Sequence, residues 1–241
     1  MRPVALLQHD HTQRPGLLLD FLNEMGIPTV TYMPHEEGAA PVNARDYSGI
    51  ALLGSQNSVN DPLPWINDEV ALFQCALSTD IPVLGHCFGA QIMAKAMGAR
   101  VRRNAWPHIG WGTLRATPDA RQLFNATHVP TFNWHYETFG IPLGAQRLLF
   151  GQYCINKGFQ IGKHLAFQCH FEVTESIIQE WCAQGEPELL TAQGPTVQPV
   201  TEILKAMHEE LPKVQRIARH IYGKWASNLL RTSPSINRIC Q

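Results

Sequence analysis

Residues 81–91 read Ile81-Pro82-Val83-Leu84-Gly85-His86-Cys87-Phe88-Gly89-Ala90-Gln91. An apolar strand runs into Gly-x-Cys-x-Gly and then directly into a helix. This is the cysteine counterpart of a nucleophile elbow, in which the reactive residue stands on a sharp strand-to-helix turn. The neighbours two residues either side must be small, or their side chains collide with the flanking strand and helix. A thiol in that position sits at a helix N-terminus, where the dipole and unbonded N–H groups favour an anion. The N–H of Phe88 points to where an oxyanion forms during attack on a carbonyl. His86, adjacent in an extended segment, is expected to point away from Cys87. Taken alone, the glycines are equally compatible with a tight turn around a buried cysteine.

Toward the N-terminus, strand and helix patterns alternate. Val4–Leu7 is a short apolar run, and Pro15 opens a helix whose apolar face covers Leu17–Met25 before Gly26 stops it. Thr29–Tyr32 and Gly49–Leu53 read as strands and Pro64–Leu77 as an amphipathic helix. Ile81–Leu84 is the next strand and Phe88–Met97 the next helix, closed by Gly98. This alternation predicts βαβ units and an α/β fold with a mostly parallel sheet flanked by helices.

From Arg100 the pattern turns strand-rich, with runs at Arg100–Arg103, Gly110–Arg115, Arg147–Leu149, Phe159–Ile161 and Leu165–Cys169. Some of these are expected to form a smaller antiparallel section. After Val173 the chain reads helical to about Leu230, interrupted near Gly185–Gln198, and no linker marks a second domain. The expectation is one domain over residues 1–241, with a core at about 4–180 and a C-terminal helical segment at about 197–230.

Composition narrows the classes. The 241 residues are 44% hydrophobic and 16% charged, which excludes a disordered chain. Folding this length buries roughly 70–75% of the unfolded surface. Nineteen Lys+Arg against 20 Asp+Glu leave a net charge of −1, without the basic excess that a nucleic-acid partner requires. No apolar run reaches the length of a membrane span, and the N-terminus lacks a signal-peptide pattern, so a soluble, cytoplasmic protein is expected. The six cysteines, Cys75, Cys87, Cys154, Cys169, Cys182 and Cys240, show no metal-ligand spacing, and reduced thiols are the default.

A thiol nucleophile needs a base. Leu165-Ala166-Phe167-Gln168-Cys169-His170-Phe171-Glu172 ends an apolar strand in His-x-Glu, 83 residues beyond Cys87. On an extended backbone, residues two apart share a side, so Glu172 can reach the His170 imidazole and orient it.

These two segments together resemble the class I (triad-type) glutamine amidotransferases, in particular stand-alone domains similar to the amidotransferase part of GMP synthetase. The family's Gly-x-Cys-x-Gly-x-Gln is met by Gly85, Cys87, Gly89 and Gln91, and its His-x-Glu by His170 and Glu172. The similarity covers about residues 4–180. It implies a flavodoxin-like fold with Cys87 as nucleophile, His170 as base and Glu172 as its partner. It also implies that Gln91 shapes the floor of the substrate pocket and that no metal or organic cofactor is required.

Leu52-Leu53-Gly54-Ser55-Gln56-Asn57-Ser58-Val59 resembles the family loop Gly-Gly-Pro-x-Ser-Val, whose backbone N–H completes the oxyanion hole. Ser55 stands in the second Gly place and Gln56 in the Pro place; the resemblance assigns Gly54, Ser55 and Phe88 to the hole. Phe132-Asn133-Trp134-His135-Tyr136-Glu137-Thr138-Phe139 matches a family run, Trp/Ser-His-Gly-Asp, that lines the glutamine pocket. His135 and Glu137 fit by type, and Tyr136 replaces Gly with a ring. These three are candidate substrate-binding residues.

His9-Asp10-His11 has no third ligand in evidence and is expected to line the cleft rather than hold a metal. His108, His128, His164, His208 and His220 read as surface or satisfied polar residues. The stripe Met207, Leu211, Val214 and Ile217 reads as packing.

The resemblance implies hydrolysis of the glutamine side-chain amide through a γ-glutamyl thioester. No Gly-rich phosphate loop with Lys-Ser/Thr is present. Three outcomes stay open: ammonia passed to a separate synthetase subunit, a stand-alone hydrolase of γ-glutamyl amides or peptides, and a non-catalytic binding domain.

Overall fold

The computed structural model describes residues 1–38, 40–189 and 191–229. Its first half alternates β1 (Val4–Leu7), α1 (Gly16–Glu24), β2 (Thr29–Tyr32), α2 (Pro34–Glu37), β3 (Gly49–Leu52), α3 (Pro64–Ser78), β4 (Val83–His86) and α4 (Phe88–Ala96). The second half runs β5 (Val101–Ala116), α5 (Arg121–Phe124), β6 (His128–Phe139), β7 (Gln146–Phe150), β8 (Gly158–Ile161), β9 (His164–Phe167), α6 (Glu175–Leu189) and α7 (Val200–Ala226).

One nine-stranded sheet has the order β2-β1-β3-β4-β9-β8-β7-β5-β6. The pairs from β2 to β9 are parallel and those from β9 to β6 antiparallel. The α/β fold with a parallel sheet, flanking helices and an antiparallel section therefore stands as read. β1, β3 and β4 are buried at every position because helices cover both faces. Strand alternation splits the core in two. Val4, Leu6, Ala51 and Leu84 pack with α1, α6 and α7, whereas Ala5, Leu7, Ile50 and Val83 pack with α3 and α4.

Four expectations are corrected. Arg100–Arg103 and Gly110–Arg115 are the two ends of one 16-residue strand, broken by a register shift between Arg103 and His108. A bulge keeps both ends on the same partner strand, which local patterning does not reveal. β6 lacks the apolar alternation of a strand in the sequence, because its inward row, Thr131, Asn133 and His135, is polar yet buried. The helix after Val173 does not break at Gly185; α6 continues to Leu189. Gly185 lies under Trp134, where a Cβ would come within 2.4 Å of the indole, so this glycine serves close packing. Last, not every thiol is reduced. Cys87, Cys154, Cys169 and Cys182 are free, but Cys75 is disulfide-bonded, a pairing that depends on proximity in space and not on spacing. Cys240 and Leu230 lie outside the described residues. Among the described residues no helix is long and apolar enough to cross a membrane.

Candidate active site

The loops after β1, β3, β4 and β9 meet at the C-terminal ends of the parallel strands, where open α/β sheets gather ligands. Cys87 connects β4 to α4 with φ 50° and ψ −106°. A non-glycine residue at positive φ is strained and persists only where its surroundings hold it. Here the Cys87 N–H donates to the Phe167 carbonyl at 2.7 Å, and the Gly89 N–H donates to the Leu53 carbonyl at 3.0 Å. The small neighbours are required as expected. A Cβ on Gly89 would lie 2.1 Å from the Leu52 oxygen, and one on Gly85 would lie 2.6 Å from Met93 Sδ and 2.8 Å from Ala90 N. Phe88 begins α4, in the turn whose N–H groups have no intrahelical acceptor.

β9 ends at Phe167, and the next five residues run on past it, with one antiparallel bridge from His170 to Phe132 of β6. The His170 N–H donates to the Phe132 carbonyl at 2.8 Å, and the Leu17 N–H of α1 donates to the Glu172 carbonyl at 2.8 Å. So fixed, His170 Nδ1 lies 2.6 Å from Glu172 Oε1, and the Cys87 sulfur is near enough to favour charge on the same ring. Both His170 and Glu172 are buried. Burial disfavours charge on His170, but the Glu172 carboxylate and the Cys87 sulfur outweigh it and raise its pKa to about 10. Burial likewise works against the Glu172 carboxylate, and His86 and His170 together hold its pKa below the usual range.

Several residues that carried no site role in the sequence complete the geometry. Gln168 donates Nε2–H toward Cys87 Sγ at 3.6 Å and accepts from Gln91 Nε2 at 3.2 Å. The period-2 pattern that placed His170 and Glu172 on one side includes Gln168, so that signal was available. His86 does point away from Cys87. Its Nδ1 faces Glu172 Oε2 at 3.4 Å, and neither atom has a hydrogen bond among the described residues. His9 is buried between Glu69 Oε1 at 2.7 Å and the Gly54 carbonyl at 2.9 Å. Held between two oxygen acceptors, the ring ties down the Gly54 loop; burial opposes a second proton on His9, and Glu69 raises its pKa. Asp10 accepts from the Thr12 and Gln13 N–H groups, and exposed His11 pairs with Glu36. No cluster of three or more His, Cys, Asp or Glu among the described residues is arranged for a metal.

A cleft of about 950 Å³ opens above Cys87, lined by Ser55, Phe88, Gln91, His135, Tyr136 and Glu137 among others. Trp106, Trp134 and Trp181 add aromatic wall. Gly54 packs beside it, where a Cβ would meet Gln13 Oε1 at 2.2 Å and His170 Cε1 at 3.1 Å. Glu137 accepts the Ser58 hydroxyl on both oxygens, at 3.0 and 2.9 Å, joining the two family-like segments across the cleft. His135 has both ring nitrogens engaged, by Lys157 Nζ at 2.7 Å and the Glu137 carbonyl at 2.9 Å, so it offers a ring face rather than a free nitrogen. His164 corrects its expectation: it is buried against Phe73 with Nδ1 lacking a hydrogen bond among the described residues.

Residues 17–179 match the family described as Glutamine amidotransferase class-I. The chain belongs to this family. A solved glutamine amido transferase from Methylobacillus flagellatus aligns with a TM-score of 0.94 at 33% identity, over 99% of both chains. The glutamine amidotransferase-like protein YfeJ of Salmonella typhimurium is 23% identical over 201 residues, 79% of this chain and 84% of that one. The GMP synthase of Bacillus subtilis is 33% identical over 110 residues, 45% of this chain and 20% of that enzyme. The class-I amidotransferase match begins at α1 and ends in α6, so it contains Cys87, His170 and Glu172.

Proposed function

We propose that the protein hydrolyses the side-chain amide of glutamine through a γ-glutamyl thioester on Cys87, releasing glutamate and ammonia. The single observation that carries this reading is the buried His170–Glu172 pair, 2.6 Å apart, whose ring takes further support for its proton from the Cys87 sulfur on the strained elbow. With its pKa raised to about 10, His170 holds a proton at neutral pH beside the attacking sulfur. The sulfur adds to the amide carbon, and the tetrahedral oxyanion takes the N–H of Phe88 and an N–H of the Gly54–Ser55 loop. One such donor is typically worth about 2.7–4 kcal/mol of barrier. His170 gives its proton to the departing nitrogen, and ammonia leaves. The ring then takes a proton from water, which attacks the thioester and frees glutamate. Glu172 orients the ring throughout. Gln91, Tyr136, Glu137 and the ring face of His135 form the pocket around the substrate.

The ammonia acceptor we propose is a separate synthetase subunit, by analogy with relatives named GMP synthase and carbamoyl phosphate synthase small chain. A second reading, hydrolysis of γ-glutamyl amides larger than glutamine, is favoured by the cleft volume of about 950 Å³, the upper end of the range for drug-sized ligands. Ammonia release from glutamine should be lost in Cys87→Ala and nearly lost in His170→Ala, with a smaller loss in Glu172→Ala. Hydrolysis persisting undiminished in Cys87→Ala would reject the assignment. Assaying γ-glutamyl amides in parallel ranks the two substrate classes by kcat/KM.

A further inference from the structure

Behind the cleft, on the far side of His135, lies a charge that the steps above do not use. Lys157, just before β8, is completely buried. Its ammonium has three donors, and each meets one acceptor at 2.7 Å: His108 Nδ1 on β5, and Asn133 Oδ1 and His135 Nε2 on β6. All three acceptors are uncharged. Burial pushes the pKa of His108 down to about 3, and the Lys157 charge adds to that; the same causes hold His135 well below its usual value. Burial also lowers the pKa of Lys157, to about 8, which leaves it protonated at pH 7. None of the ion pairs among the described residues includes Lys157.

A buried charge without a counter-ion is costly. Two other buried cations near the cleft have a carboxylate in contact, His9 with Glu69 and His170 with Glu172. Lys157 has none within ion-pair distance among the described residues, and the cleft carboxylate of Glu137 is engaged by the Ser58 hydroxyl. The groups whose negative charge would support the Lys157 proton are the sulfurs of Cys154, Cys169 and Cys87. Burial pushes the Cys169 thiol up to about 12, so it is not ionised at neutral pH. Cys154 donates its thiol to Thr138 Oγ1 at 3.3 Å and does not line the cleft. Cys87, which lines the cleft, is the one placed to carry an anion when it reacts.

We propose that Lys157 is a positioning residue for this site, a buried ammonium whose charge offsets the anion formed at Cys87 and whose hydrogen bond holds His135 in one tautomer. Because Lys157 donates to His135 Nε2, the ring proton is on Nδ1, where it binds the Glu137 carbonyl. The ammonium thereby also braces the β6 segment that carries Tyr136 and Glu137. This rests on Cys87 being the reacting group, but not on glutamine being the substrate.

The test follows alkylation of Cys87 by iodoacetamide, which needs the sulfur anion and no substrate, with Cys87→Ala as the blank. In Lys157→Met, alkylation at pH 7 is expected to slow about tenfold, with its rise displaced by about one unit toward higher pH, the size of shift that a nearby charge produces. Lys157→Arg retains the charge and should stay within about threefold of wild type. Unchanged alkylation across the pH range in folded Lys157→Met would overturn the proposal. Should that variant fail to fold, the wild-type protein serves through reciprocity. Capping Cys87 as a neutral thioether removes the anion, so the Lys157 side-chain carbon resonance should titrate at lower pH than before capping. An identical titration before and after would equally refute the idea. Normal alkylation effects without ammonia release from glutamine would instead count against the substrate reading alone.

Discussion

At Gly89 a single hydrogen atom decides whether the elbow can form. Its missing Cβ would lie 2.1 Å from the Leu52 oxygen and 2.5 Å from Leu52 Cβ, so α4 rests directly on β3. Gly89→Ala must push helix from strand, and the expected cost is about 1–3 kcal/mol, as for other overpacked positions. Urea unfolding measures it, and a midpoint equal to wild type would show that the contact yields freely. The small residues of the elbow were legible in the sequence because sterics act locally. The roles of His9 and His86 were not. Each faces a partner distant in the chain, Glu69 and Gly54 for one and Glu172 for the other, and an isolated histidine carries no sign of which neighbour it will meet.

At the scale of elements, α7 does more than cover the sheet. Tyr222 and Trp225 are both fully buried, and the Tyr222 hydroxyl lies 3.4 Å from His86 Nε2, so the C-terminal helix packs against the residue behind Glu172. Trp225→Ala should cost about 3–5 kcal/mol, the range for emptying an aromatic site in a core. Thermal or urea denaturation tests this, and a loss below about 1 kcal/mol would mean that the site closes up. The helical stripe of α7 was readable from its period, and Leu211 and Val214 are indeed buried. The length of β5 and the presence of β6 were not readable. A bulge hides the continuity of one, and a polar inward row that serves Lys157 rather than an apolar core disguises the other.

For the molecule as a whole, pH acts on the buried pairing of His170 with Glu172. The folded-state pKa of His170, about 10, lies above its unfolded value of about 6.5. The stability it contributes is therefore complete below about pH 6.5 and disappears as pH rises through about 10. Glu172 shifts the other way, so its contribution is present above its unfolded value and lost in acid. The difference in unfolding free energy between wild type and Glu172→Gln should accordingly be largest near neutrality and shrink toward pH 10; a difference that grows with alkalinity would contradict the pairing. Val4–Leu7, the elbow at Cys87 and His170-x-Glu172 were determined by the sequence itself, because burial on both faces, a strained turn and same-side projection all leave patterns within a few residues. The meeting of Cys87 with His170, the tie from His9 to the Gly54 loop and the seat of Lys157 between β5 and β6 were decided only by the tertiary structure. Each joins groups that are far apart in the chain, and only the closing of the sheet brings them together.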